Sequence, residues 1–162
     1  MSTPDFRGDY PVYKPERCIR ATLKAAREHQ FPIEQIMFEI TEEEQISNSQ
    51  HICNIVEFYK AQGFKTALDD FGAGYSGLNL LTDFQPDIVK LDMHLLRGLD
   101  HDERRQTIVR HCISLCEALG ITVLAEGVET LEEKQCLQEM GVDLMQGYLF
   151  ARPSFESLPV VM

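Results

Sequence analysis

Apolar residues recur along the chain at two spacings, one typical of amphipathic helices and one typical of short buried strands. Ile52, Ile55, Val56 and Tyr59 stand at positions i, i+3, i+4 and i+7 of a helical face, and Gly63 ends that helix. Short apolar runs lie between such helices and predict strands. Five strands are predicted in this way, at residues 36–41, 65–71, 87–92, 121–126 and 142–148.

Helices are predicted in the intervals before and between these strands. The first begins near Pro15, which suits the first position of a helix, and runs to about His29. The longest runs from about Asp102 to Gly120. It is predicted to turn these side chains inward: Ile108, Cys112, Leu115, Cys116 and Leu119.

The last helix is marked by a capping box. Thr130 and Glu133 stand three residues apart, the spacing at which each side chain accepts the other residue's backbone N–H, and Gly141 ends the helix.

Strands and helices therefore alternate along the whole chain. This alternation predicts βαβ units, and hence an α/β fold built on a parallel sheet.

The composition is that of a globular domain with a sizeable core. The chain has 162 residues, of which 44% are apolar and 25% charged. Its formal net charge of −11 disfavours a nucleic-acid partner, although divalent cations could still screen the site of a small anionic ligand. No apolar run approaches the ~20 residues of a membrane span, and the first 13 residues lack the order of a signal peptide.

The cysteines predict a reducing compartment. There are five of them, an odd number, and none stands in a C-x-x-C spacing. We interpret them as small core hydrophobes of a cytoplasmic protein.

A polar residue stands at or just beyond the carboxyl end of every predicted strand. In a (β/α) barrel these ends converge on one face, where the βα loops build the active site. A single carboxylate there could equally be a solvated surface charge, and Glu132, Glu133 and Glu139 are interpreted in that way. The polar strand ends are Glu39 and Glu42, Asp69 and Asp70, Lys90 and Asp92, Glu126 and Glu129, and Gln146.

Convergent carboxylates without histidine or cysteine favour hard cations such as Mg²⁺ or Mn²⁺. The adjacent Asp69 and Asp70 could hold two such ions, an arrangement that suits in-line attack on a phosphodiester. Lys90 could hold or help to deprotonate the attacking water, or could simply form an ion pair with Asp87 or Asp92. Gly72 and Gly74 follow the aspartate pair and could let backbone approach a phosphate, although a glycine-rich loop alone is weak evidence.

Five segments together resemble the successive motifs of the EAL phosphodiesterase domain. Residues 13–18 and 80–84 further resemble the branch of that family found with blue-light-sensing BLUF domains. The five segments are residues 38–42 (Phe-Glu-Ile-Thr-Glu), 69–76 (Asp-Asp-Phe-Gly-Ala-Gly-Tyr-Ser), 89–92 (Val-Lys-Leu-Asp), 125–130 (Ala-Glu-Gly-Val-Glu-Thr) and 146–153 (Gln-Gly-Tyr-Leu-Phe-Ala-Arg-Pro).

The resemblance implies hydrolysis of cyclic di-GMP to linear pGpG by two Mg²⁺ or Mn²⁺ ions in a TIM-like barrel. It implies that Glu39, Asp69, Asp70 and Glu126 serve the metals, and that Lys90 positions the nucleophilic water. It also implies homodimerisation through the loop after Asp70. Residues expected to support the substrate or its loops are Glu42, which braces that loop, together with Gly72, Gly74, Asp92, Glu129, Gln146, Arg152 and Pro153.

The chain departs from the family pattern on its N-terminal side. No Glu-Ala-Leu triplet precedes Glu39, since the only one lies at 117–119 inside a predicted helix, and Asn48 is the first asparagine. Two metal ligands of the family therefore have no counterpart. Five strands also fall short of the eight units and ~250 residues typical of a TIM barrel. We expect an irregular segment at 1–13 and an N-terminally incomplete EAL domain at 14–162, whose exposed sheet edges favour self-association.

Two interpretations remain open on the sequence alone. In the first, the chain or its assembly hydrolyses cyclic di-GMP with the ligands that it has. In the second, it is a catalytically inactive EAL module that senses cyclic di-GMP or contacts a protein partner. A metabolic lyase or aldolase on a TIM barrel fits the polar strand ends but does not account for the five motifs.

Overall fold

The computed structural model describes residues 19–41, 49–74, 77–83 and 85–154, with only the backbone described at 49–51. Several predictions lie outside these ranges and are not tested by the structure. They concern the irregular segment at 1–13, the helix start at Pro15, Cys18, Glu42 and the loop residues Tyr75 and Ser76.

Five parallel strands form one sheet in which the order of the strands follows the order of the chain. Every neighbouring pair is parallel, as the strand–helix alternation predicts. The incomplete TIM-barrel-like α/β fold with about five βα units is therefore confirmed. The strands are β1 (Met37–Thr41), β2 (Lys65–Phe71), β3 (Ile88–Leu91), β4 (Thr122–Ala125) and β5 (Leu144–Met145).

Helices connect the strands and pack along the sheet. Within the described residues, two short 3-10 turns, Ile33–Gln35 and Leu99–His101, also belong to the connections. None of the helices in the described part of the chain combines the length and apolar character needed to cross a bilayer. The helices are α1 (Arg20–Glu28), α2 (Ser49–Ala61), α3 (Gly77–Asp83), α4 (Met93–Leu96), α5 (Glu103–Ala118) and α6 (Leu131–Glu139).

Strand register places the polar strand-end residues on one face of the sheet. Glu39 pairs with Ala67 and Thr41 pairs with Asp69, while Lys90 pairs with Leu124. Because side chains alternate between the two faces along a strand, Glu39 and Asp69 project from the same face. The register thus makes the first two carboxylates of the candidate site diagonal neighbours on one face of the sheet.

The main core lies between the sheet and the helices, and the apolar strand residues fill it from their other face. Leu68, Val89 and Leu91 from the strands meet Val109 and Ile113 from α5. A second cluster packs α1 and α2 against the first strand and consists of Ile19, Ile55, Tyr59 and Phe64, with Phe38 stacked on the Tyr59 ring.

The inward face predicted for α5 was partly wrong. Ile108 is 46% exposed and Leu119 is 37% exposed, whereas Val109, Ile113 and Cys116 are buried. Neighbouring helical positions point about 100° apart, so burial of Val109 turns Ile108 away from the sheet. Leu119 lies beyond the last helical residue, Ala118, and so is no longer bound by the helical period.

Several strands are shorter than predicted, most clearly β5, which was expected at 142–148. The backbone after Met145 bonds to the last residue of β4 and to the loop beyond it. The Gln146 N–H donates to the Ala125 carbonyl at 2.9 Å, and the Val128 N–H donates to the Gln146 carbonyl at 3.0 Å. The helix α4 was not predicted; Asp92 caps it by accepting the His94 N–H at 2.7 Å.

Asp87 joins β2 to β3 at the end of the sheet away from the candidate site. Its Oδ2 accepts the Thr66 N–H at 2.9 Å and the Thr66 hydroxyl at 3.0 Å, and its Oδ1 lies 3.6 Å from the Lys65 ammonium. Burial raises the pKa of Asp87, but the Thr66 hydrogen bonds and the nearby lysines outweigh it, so that the pKa is lowered from its ordinary value of 3.8.

We expect Asp87→Ala to lower the free energy of unfolding by about 1–2 kcal/mol at pH 7, because the buried Thr66 N–H and hydroxyl lose their acceptor. A lowered folded pKa means that this contribution is present above the unfolded pKa and is lost as the pH falls through the folded value. Denaturant unfolding between pH 7 and pH 3 should therefore show the two curves converging in acid. The exposed Asp143→Ala serves as the matched control; an equal loss there would contradict the role of Asp87.

Candidate active site

The ammonium group of Lys90 is the centre of the candidate site. Lys90 lies on β3, is only 5% exposed, and donates to carboxylates that arrive from three other segments. Its Nζ lies 2.9 Å from Glu39, 2.9 Å from Asp69 and 2.8 Å from Glu126. All three ammonium protons are thus used. The alternative pairing with Asp87 or Asp92 is not observed.

The charges around Lys90 do not balance. Burial lowers the pKa of Lys90, but the hydrogen bonds to Glu126, Asp69 and Glu39 outweigh it and raise that pKa above its ordinary value. The pKa of Glu126 is also raised, first by burial and then by the charges of Asp69 and Glu39, although Lys90 opposes this shift. One ammonium therefore leaves an excess of negative charge, which favours the binding of a further cation.

Asp70 joins the carboxylates through a local irregularity of β2. Leu68 pairs with Val89 and Phe71 pairs with Leu91, so β2 contains one residue more than β3 across this step. Asp70 has a φ of 57°, in the left-handed region that aspartate tolerates better than most residues. A bulge of this kind redirects a side chain that strict alternation would place on the opposite face.

Three carboxylates form a group suited to a divalent cation. Asp69, Asp70 and Glu126 each offer an oxygen within 4.8 Å of those of the other two. Such hard oxygen donors suit Mg²⁺ or Mn²⁺, and the uncompensated charge near Lys90 fits a cation as well. Glu39 stands outside this group; it is 41% exposed at its side chain and reaches the cluster through Lys90.

Gln146 links Glu126 to the loop after β5. Its Nε2 donates to Oε1 of Glu126, the same oxygen that accepts from Lys90. The next residue must be glycine, because a Cβ at Gly147 would stand 2.1 Å from the Val128 carbonyl oxygen. This close approach presses the loop after β5 against the loop after β4. Gln146 is therefore held in place at the same edge as the carboxylates, as predicted.

A pocket of about 510 Å³ opens beside Gln146. Its volume lies within the range of small-molecule sites. The Arg152 guanidinium lies over the Tyr148 ring at 4.9 Å, and the Glu129 carboxylate lies 2.8 Å from the Arg97 guanidinium. Several of the residues predicted for the site therefore line this pocket, which lies beside the carboxylate cluster. The pocket is lined by Met93, Gly127, Glu129, Gln146, Arg152 and Pro153, among others.

The other predicted residues lie around the site. Gly72 packs against Leu95, since a Cβ at Gly72 would stand 2.2 Å from Leu95 Cδ1. Gly74 is in the exposed loop that follows. Asp92 is buried beneath α4, where it binds His94 and does not reach Lys90. Glu42 lies outside the described residues.

Glu133 was interpreted as a solvated surface charge, and that interpretation was wrong. It is 2% exposed and forms the predicted capping box with Thr130. Arg97, Met93 and Tyr148 were not singled out from the sequence either. The capping-box spacing had predicted that the Glu133 carboxylate accepts the Thr130 N–H, which already conflicts with a fully solvated charge.

Sheet and side chains together define a parallel α/β domain with a carboxylate cluster suited to a divalent cation. The family model described as the EAL domain matches residues 12–153. The chain therefore belongs to the EAL domain family, as its motifs indicated.

Curated relatives include a light-regulated protein and a phosphodiesterase. The Escherichia coli blue light- and temperature-regulated antirepressor BluF is 39% identical over 128 residues, 79% of this chain and 32% of its own length. The Pseudomonas aeruginosa cyclic di-GMP phosphodiesterase RocR is 39% identical over 127 residues, 78% of this chain and 32% of its own. The chain thus spans about a third of the length of these relatives. The first agrees with the resemblance to the BLUF-associated branch.

Solved structures of the family match the fold closely. A standalone EAL protein from Vibrio cholerae O395, in its c-di-GMP-bound form, is 59% identical with a TM-score of 0.87, over 91% of this chain and 62% of that one. A manganese and c-di-GMP complex of Klebsiella pneumoniae BlrP1 is 42% identical with a TM-score of 0.81, over 88% and 36% of the two chains. Both neighbours thus contain c-di-GMP, and the BlrP1 structure also contains manganese.

Lys90→Met is expected to destabilise the protein and to increase the stabilisation that an added cation provides. The three carboxylates lose their shared counter-charge, which should cost about 2 kcal/mol, less than for a fully buried pair because Glu39 is well exposed. Thermal unfolding in EDTA and in Mn²⁺ measures both effects. The melting temperature should rise more on adding Mn²⁺ in the variant than in the unsubstituted chain.

Lys24→Met is the control, since Lys24 is largely exposed and pairs with Glu28 on α1. It should change neither the stability in EDTA nor the response to Mn²⁺ by more than a few tenths of a kcal/mol. Equal stabilities of Lys90→Met and the unsubstituted chain in EDTA would contradict a central role for the ammonium group.

Proposed function

We propose that this chain carries the hydrolytic site of a cyclic di-GMP phosphodiesterase, which opens the cyclic dinucleotide to linear pGpG. The observation that carries the proposal is the convergence of Asp69, Asp70 and Glu126 beside the buried Lys90 ammonium. The family and the phosphodiesterase RocR support the same activity.

We propose that Asp69, Asp70 and Glu126 hold one or two divalent cations, Mg²⁺ or Mn²⁺, and that Glu39 contributes to the second. A bound divalent ion supplies positive charge to a phosphodiester whose negative charge grows in the transition state. The oxygen-only donor set and the excess negative charge support such ions. The manganese complex of BlrP1 supports Mn²⁺ in particular.

The remaining residues of the site bind and orient the substrate in this proposal. In this proposal a bound cation takes over one of the carboxylates that accept from Lys90, and the ammonium proton released in this way donates to an attacking water or to a phosphate oxygen. Gln146 orients Glu126 by donating to its carboxylate. The neighbouring pocket, with Arg152 and Glu129 on its wall, has the size and mixed polarity to receive a guanine base.

We further propose that the chain acts as a homodimer or larger assembly in the reducing cytoplasm. The outer edges of β1 and β5 have no neighbouring strand within the described residues, and unpaired edges favour association. Cys53, Cys112, Cys116 and Cys136 are free thiols, which supports a reducing compartment. Sedimentation velocity should give a mass above the 18.5 kDa of one chain, and a purely monomeric sample would contradict the assembly.

A second candidate function is recognition without catalysis. The relative BluF is named an antirepressor, which supports an interaction role for a domain of this sequence. In that case the carboxylates and the pocket would bind cyclic di-GMP, or support a protein contact, without turning the dinucleotide over.

Turnover of cyclic di-GMP by the purified chain in Mn²⁺ tests the proposal, with pGpG followed by chromatography. Asp70→Asn is the sharpest variant, because asparagine tolerates the left-handed φ of 57° and so removes charge with little strain. We expect a loss of about 100-fold or more, at or beyond the upper end of the effect of outer-shell partners. Glu39→Ala should also reduce turnover.

Asp143→Asn removes an exposed carboxylate elsewhere and should leave turnover unchanged. Calorimetric binding of cyclic di-GMP separates the two candidate functions. Binding without turnover would support the recognition module, and the absence of both would contradict hydrolysis and recognition of cyclic di-GMP by this chain.

A further inference from the structure

Glu133 is a buried carboxylate whose hydrogen bonds extend beyond its own helix. Its Oε2 accepts the N–H groups of Glu129 at 3.0 Å and of Thr130 at 3.3 Å. Its Oε1 accepts the Gly98 N–H at 3.1 Å. The Arg97 guanidinium lies 3.9 Å away. Each oxygen therefore binds a different segment of the backbone.

A capping box accounts for only part of this arrangement. Capping needs the carboxylate to accept the N–H of the N-cap residue, which here is Thr130. The Gly98 N–H belongs to the connection after β3, which is 35 residues earlier in the chain. Glu133 thus joins the loop that follows Lys90 to the loop that follows Glu126, two loops that the sheet alone would leave separate.

Glu133 on one side and the loop after β5 on the other hold the segment 126–130 in place. Val128 is fully buried, donates to the Gln146 carbonyl at 3.0 Å and accepts the Leu149 N–H at 3.0 Å. Glu133 holds the same segment one residue further along, at Glu129. Glu126 stands at the start of this segment and turns its carboxylate to Lys90 and Gln146.

Arg97 strengthens the link between the two loops. Its Nη2 lies 2.8 Å from Glu129 and its Nη1 lies 3.9 Å from Glu133, so one guanidinium spans both carboxylates. Arg97 directly precedes Gly98, whose N–H binds Glu133. Burial raises the pKa of Glu133, but three backbone N–H groups and Arg97 outweigh it and lower that pKa, which keeps the carboxylate ionised.

We propose that Glu133 is a positioning residue for the candidate cation site, holding the segment 126–130 against the loop after β3 so that the Glu126 carboxylate faces Asp69 and Asp70. It acts through backbone and does not itself touch the cation or the substrate. The inference deepens the proposed function and relies on it only for the readouts that involve a bound cation. If the carboxylate only capped α6, its substitution would lower the stability of the domain and leave cation binding unchanged.

Glu133→Gln and Thr130→Ala separate the two roles. Glutamine keeps the shape of Glu133 but has a single acceptor oxygen, so its NH₂ must oppose either Gly98 or the pair Glu129 and Thr130. Alanine at 130 removes the hydroxyl that caps α6 and leaves the Glu133 carboxylate intact. Both variants should lower the melting temperature.

Two measurements on the full chain test the positioning role. Amide hydrogen exchange should become at least about 10-fold faster at Gly98 and Glu129 in Glu133→Gln, and should stay unchanged at Gly98 in Thr130→Ala. The dissociation constant for Mn²⁺, measured by electron paramagnetic resonance, should rise about 10-fold in Glu133→Gln, as is typical for an outer partner of a metal site. In Thr130→Ala it should stay within about twofold.

Arg97→Gln is the second variant in case Glu133→Gln does not fold, since Arg97 is partly exposed and its loss leaves no buried group unpaired. It should weaken Mn²⁺ binding by about threefold. Unchanged Mn²⁺ binding and unchanged Gly98 protection in the folded Glu133 or Arg97 variant would overturn the inference.

If the unsubstituted chain binds no Mn²⁺, the proposed cation site fails by itself. Exchange at Gly98 and Glu129 then decides whether Glu133 holds the two loops together, so failure of the function and failure of the inference are distinguishable. Faster exchange at both amides supports the link, and exchange unchanged at both contradicts it.

Discussion

The Lys90 ammonium lies among carboxylates from the ends of three other strands, and the geometry of the site depends on this contact. Like charges so close together need a shared counter-charge, or their repulsion would push the strand ends apart. Lys90 supplies it from the middle of the sheet, where burial removes competing water. One ammonium group cannot neutralise all of the carboxylates around it. The remaining negative charge makes this edge of the sheet suited to a cation.

The fold and the location of the site could be predicted because both follow from short-range patterns. Short apolar runs marked all five strands, three of them just after a glycine that ends a helix, and β2 was predicted with its observed bounds. Polar residues at the ends of parallel strands necessarily share an edge, so the meeting of Asp69, Lys90 and Glu126 followed from topology alone. The motif resemblance then identified the family before any contact was known.

Features that depend on tertiary contacts could not be predicted. The left-handed backbone of Asp70 arises from a register shift between β2 and β3, which no local pattern encodes. The burial of Glu133 depends on Gly98, a residue distant in sequence. The exposure of Ile108 depends on which face of α5 meets the sheet, because burial of Val109 turns Ile108 away from it. In each case the deciding partner comes from another βα unit.

The order of the strands has a consequence for how the molecule assembles. Each strand pairs only with strands adjacent in sequence, roughly 20 to 35 residues away, so the sheet can grow one unit at a time as a repeat protein does. The ammonium contacts, by contrast, combine residues from four units. Fraying of the β1 unit would leave most strand pairings intact while separating Glu39 from Lys90. The contacts of Lys90 therefore require four units to be in place, whereas each pairing of strands requires only two.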